Sequence, residues 1–133
     1  MAGHEVKLSP EAVLNMANEL KSHLNEILTQ NKNTAEVINT IATGNNGDSF
    51  WDGARSFAWL STATRTCCNV YYRVYVLAQF FKHLCSNAAD LDFADNDKKY
   101  DTGKKLLAVS NEYDAIMSTC TSGFNTVLGN AQK

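Results

Sequence analysis

The chain has 133 residues, a single domain's worth, and its 12 Lys and Arg face 14 Asp and Glu for a formal charge of −2. That balance leaves no basic field for nucleic acid, and 44% hydrophobic with 20% charged residues places the chain among globular proteins. One Pro and seven Gly are too few for the frequent turns of an all-β domain, so the expectation is an all-α fold.

The first residues, Met1 to Ser9, carry neither a basic n-region nor an apolar h-region, so no Sec-type signal peptide is expected. The most apolar window, Cys67 to Phe81, is interrupted by Asn69, Arg73 and Gln79, and falls short of the ~18 residues a membrane span needs. These features point to a cytoplasmic protein, or to one exported by a route that reads no N-terminal signal.

Ser9-Pro10-Glu11 opens the first helix: Ser9 caps, Pro10 suits the first helical position, and Glu11 complements the dipole. No Pro or Gly follows until Gly44, the expected stop. Val13, Ala17, Leu20, Leu24, Ile27, Ile38 and Ile41 form a seam spaced by threes and fours, which wants a facing helix. Asn31 and Thr34 interrupt it. They either fix the register of a helix pair or mark a more solvated stretch. The opposite face, with Lys21, Asn25, Lys32 and Asn39, is polar.

Gly44-Asn45-Asn46-Gly47-Asp48 is a turn, and Phe50-Trp51-Asp52-Gly53 follows it. A second helical pattern then runs to about Leu91. Its first stripe is Phe57, Leu60, Thr64, Cys67, Tyr71, Val74, Ala78, Phe81, Cys85 and Ala88. A second stripe beside it holds Val70, Leu77, Leu84 and Leu91, sharing Val74, Phe81 and Ala88, and Tyr72, Tyr75, Val76 and Phe80 widen it. Such a face is wider than one partner helix covers. Helices of about 34 and about 38 residues joined by a short loop fold back as an antiparallel hairpin. A hairpin alone cannot enclose a core, so another chain, or this chain's own C-terminal part, must cover the remainder. Phe81 belongs to both stripes and is expected to be buried.

Between Asp90 and Gly103 the helical pattern breaks. The Asp cluster there fails as a calcium loop, because Tyr100 and Leu106 stand where Gly and Glu are required. A third helical pattern follows through Leu106, Val109, Tyr113, Ile116, Cys120, Phe124 and Val127, weakened by the Ser, Thr and Gly of Ser118 to Gly123.

Chemistry finds little purchase. His4, His23 and His83 are scattered without triad partners, and no Gly-rich phosphate loop is present. Cys67, Cys68, Cys85 and Cys120 lack metal-ligand spacing, and His83 and Cys85 point apart on a helix. Free buried thiols serving as small hydrophobes are expected, with no metal, no cofactor and no enzymatic activity.

Trp51-Asp52-Gly53 between two helices of similar length and heptad spacing, after an entry of Val6-Lys7-Leu8-Ser9-Pro10-Glu11, resembles the WXG100 (ESAT-6-like) family of small type VII secretion substrates. The resemblance covers residues 1 to about 97. Phe93-Ala94-Asp95-Asn96-Asp97 stands where the family's Tyr-x-x-x-Asp/Glu motif closes the second helix, with Phe93 in place of Tyr and Asp97 as the acid. About 36 further residues exceed the typical member.

The resemblance implies an antiparallel hairpin over 1–97, a C-terminal helical extension over 98–133, and dimerisation into a four-helix bundle. The interface then falls to Leu20, Leu24, Ile27, Phe57, Leu60, Tyr71, Val74 and Phe81. It further implies export as a homodimer, or with a WXG100-like or toxin partner, through a secretion ATPase that reads Trp51 and Gly53 together with Phe93 and Asp97. The protein is then cytoplasmic before export and secreted without a cleaved signal. Two other roles compete: an adaptor guiding a larger toxin to the same machinery, and a membrane-active helical protein using Tyr71 to Phe81.

Overall fold

The computed structural model describes residues 10–43, 58–89 and 102–131, and every described residue is helical. Helix α1 spans Pro10–Thr43, α2 spans Ala58–Ala89, and α3 spans Thr102–Ala131. The all-α expectation holds, and α1 starts at Pro10, where a missing N–H costs nothing. The described span of α2 is 32 residues, and the expected continuation to Leu91 lies outside the described residues. The third helix runs unbroken through its polar stretch. There the Thr119 and Thr121 hydroxyls donate to the carbonyls of Ala115 and Met117, one turn back, so they do not unwind it.

Side-chain bonds between helices fix the topology. Asn31 Nδ2 donates to the Cys67 carbonyl (3.0 Å), joining the second half of α1 to the first half of α2. Tyr113 Oη donates to the Ala17 carbonyl (2.7 Å), and Lys21 pairs with Glu112, so the first halves of α1 and α3 run side by side. Lys82 pairs with Asp114 at 2.9 Å, and Tyr71 meets Gly123, so α2 and α3 run in opposite directions. The result is an up–down–up bundle in which α2 is antiparallel to both neighbours.

One core runs through all three helices. Ala17, Leu24 and Leu28 of α1 are buried with Cys67, Tyr71, Val74, Ala78 and Cys85 of α2. From α3 come Leu106, Val109, Tyr113, Ile116, Cys120 and Val127, the stripe expected from the sequence except for Phe124, which is partly buried. Tyr113 is fully buried and links the bundle: its hydroxyl reaches α1, and its ring stacks on Phe81 of α2 with centroids 6.5 Å apart. Phe81 itself is only partly buried, short of the burial expected for a residue of both stripes.

The chain's own C-terminal helix thus covers much of the wide face of α2. The polar face of α1 that carries Lys21 adjoins α3, and the Lys21 side chain is bonded to Glu112. The turn and W-x-G segment, with Phe57, lie outside the described residues, as do Phe93 and Asp97.

Candidate partner-binding face

The two stripes of α2 meet different fates. Cys67, Tyr71, Val74, Ala78 and Cys85 are buried, whereas Leu77 and Leu84 remain 44% exposed and Phe80 59%. Helical geometry explains the split. Lys82 and Ser86 mark the flank of α2 that meets α3, and Leu77 and Leu84 sit nearly half a turn round from Lys82. They therefore border the outer groove between α2 and α1, on the side away from α3. On α1, Met16, Leu20 and Ile27 belong to the stripe of Asn31, which meets α2, and not to that of Lys21, which meets α3. Met16 and Ile27 are exposed and Leu20 is partly buried. One long groove between α1 and α2 therefore has apolar walls on both sides, and among the described residues no helix lies in it.

The interior behind this face is polar only where polarity is matched. Asn31 is buried and its amide bonds α2, so it is not part of a solvated stretch and joins the two helices at one level. Thr34 is exposed and donates to the Gln30 carbonyl, so it does no such work. Ser110, fully buried on α3, donates to the Lys82 carbonyl (3.0 Å) and accepts from Ser86 (2.6 Å). No described buried side-chain oxygen or nitrogen lacks a partner. Sequence reading missed Ser110 and Ser86, and the only available signal was the interruption of an apolar stripe by a small hydroxyl side chain.

The four thiols are buried and free. Burial pushes the Cys67, Cys68 and Cys85 thiols above their usual range, Cys67 also through Cys68 beside it, and drives Cys120 to about 11. Such thiols stay neutral and unreactive at neutral pH. Among the described residues, no group of three or more His, Cys, Asp or Glu side chains gathers around a metal-sized site. No described helix is long and apolar enough to cross a membrane.

A half-open cleft of about 710 Å³ lies between α1 and α3, floored by Leu28, Tyr71 and Val127 and rimmed by Asn25, Lys32 and Ser118. Beside neutral hydroxyls and amides its lining carries the charged side chains of Lys32 and Glu36, with no His or Cys among them.

Of the interface residues expected from the sequence, Leu24, Tyr71 and Val74 are buried in the intrachain core, and Leu20 and Phe81 are partly buried against it. Ile27 is exposed on the open groove. Leu60 lies in the first turn of α2, its side chain outside the described set. Trp51, Gly53, Phe57, Phe93 and Asp97 lie outside the described residues. Comparisons of the chain with known protein families, with curated proteins and with solved structures found no match.

Proposed function

We propose that the chain is a small helical substrate of a type VII (ESX/Ess-like) secretion system. It pairs through the outer α1–α2 groove and presents Trp51 and Gly53, together with Phe93 and Asp97, to the secretion ATPase. The observation that carries this reading is the hairpin face that α3 leaves uncovered, with Leu77, Phe80 and Leu84 exposed along it. Apolar rows of that length on a helix pair serve as protein interfaces. The position of Trp51-Asp52-Gly53 in the chain, between the end of α1 and the start of α2, agrees with the W-x-G resemblance.

An adaptor role for a larger secreted toxin is the second reading. The exposed row on α2 continues past the groove through Tyr72 and Val76, which is broader than one pairing face needs. Neither reading asks for catalysis.

Export is tested by the ratio of protein in the medium to protein in cells, with and without the secretion ATPase. Trp51→Ala should cut that ratio tenfold or more while the circular dichroism of the purified variant stays unchanged. Asp97→Ala should act in the same direction. Secretion that survives both substitutions, or that continues without the ATPase, contradicts the reading.

A further inference from the structure

The two halves of α3 are held by different means. In the first half, Ser110 bonds Ser86 and the Lys82 carbonyl, Tyr113 bonds the Ala17 carbonyl, and Glu112 and Asp114 pair with Lys21 and Lys82. Both neighbouring helices are tied to it there. From Ser118 on, no α3 side chain makes a hydrogen bond or ion pair to another helix among the described residues, and the Thr119 and Thr121 hydroxyls turn back into α3 itself. What holds this half is the burial of Cys120 and Val127, the partial burial of Phe124, and the Tyr71–Gly123 contact. On its α1 side it borders the half-open cleft through Ser118, Ser122 and Thr126. A segment with few polar ties and one flank already in water opens before the rest of a fold.

The thiols divide between the two halves. Cys68 lies on the α2 stripe of Tyr71, Ala78 and Lys82, the stripe that meets α3. Counted from the Ser86–Ser110 and Lys82–Asp114 pairs, Cys68 comes level with Leu128 and Cys85 with Asn111. Cys68 is therefore covered by the loosely tied half, Cys120 is carried on it, and Cys85 sits beside the pinned half. All are buried, with no room for an adduct in the closed bundle. Nor can they bridge one another there. The same count sets Cys120 roughly 12 Å along the bundle from Cys68 and roughly 14 Å from Cys67 and Cys85, against a Cα separation under ~7 Å in a disulfide. Cys67 and Cys68 are adjacent on a helix, which holds their sulfurs apart, and Cys85 is several turns away from both.

We propose that the C-terminal half of α3, from Ser118 on, is a latch that opens on its own, and that thiol–disulfide exchange at Cys68 and Cys120 holds it open. In the open form each thiol gives its proton to solvent, and the thiolate attacks one sulfur of a small disulfide of the glutathione class. A mixed disulfide forms on the protein, the oxidant's own S–S bond breaks, and its other half leaves as a thiolate. The bundle cannot reclose over the adduct, and a reductant reverses the exchange. Oxidation thus bares the apolar floor of the cleft, Leu28, Tyr71 and Val127, while α1, α2 and the first half of α3 stay docked. The latch goes beyond the secretion reading and depends on neither pairing nor export.

The test follows each cysteine by peptide mass spectrometry while purified full-length protein stands with glutathione disulfide at about pH 8, in urea below its unfolding midpoint. Cys68 and Cys120 should take up glutathione about tenfold faster than Cys85 or more. Their rates should also depend less steeply on urea, because opening the latch exposes less surface than unfolding the bundle. In the purified adduct Cys85 should stay shielded from alkylation, and dithiothreitol should restore the circular dichroism of the reduced protein. Four thiols reacting at one rate with one urea slope mean a single global unfolding and overturn the inference. So does Cys85 reacting first, or an adduct whose Cys85 is open to alkylation.

Discussion

Gly123 is the clearest single-residue constraint. A Cβ built there would fall within 2.5 Å of Tyr71 Cε1, so the buried Tyr71 ring would have to shift out of its packed position. Alanine should help α3 by about 1 kcal/mol through helix propensity, and overpacking should cost about 1–3 kcal/mol. The steric term wins: Gly123→Ala should lower the melting midpoint by a few degrees, and a raised midpoint would show that the Tyr71 contact is looser than described. Cys120 makes the second residue-scale prediction. Burial raises its thiol from 9.0 to about 11, so the folded state holds the proton more tightly than the unfolded chain does. The associated stability is complete below pH 9 and is lost as the pH rises from about 9 to about 11. Urea midpoints across that range should fall more steeply for the native chain than for Cys120→Ala, whose lower starting stability reflects lost packing. Parallel slopes would contradict the assignment.

Each helix was legible in the sequence to a different depth. The start of α1 at Pro10 followed from capping chemistry, and six of the seven apolar positions of α3 are buried as its spacing required. Asn31 was legible as a candidate register pin, but its partner is a backbone carbonyl, which no residue pattern announces. Periodicity also could not tell which helix a stripe would meet. Phe81 belongs to both stripes of α2, yet stays partly buried because α3 covers one stripe and leaves the other open. The face of α1 with Lys21 was legible as polar, but the Lys21–Glu112 pairing across 91 residues leaves no local trace. The site was less legible than the fold. Leu77 and Leu84 were marked as part of a wide face, but only the placement of α3 separates the open stripe from the covered one.

At the scale of the whole molecule, the three described helices enclose a core and leave the α1–α2 groove uncovered by any described residue. α3 occupies the side of the hairpin marked by Lys21 and Lys82, and the opposite side keeps Ile27, Leu77 and Leu84 in water. A monomer with that face open exposes an apolar row that a second chain would bury, so pairing is the central claim of this account. Multi-angle light scattering of the purified chain at tens of micromolar tests it most directly. The predicted mass is twice 14.7 kDa, falling toward a single chain only on strong dilution. A constant 14.7 kDa at every concentration would contradict it.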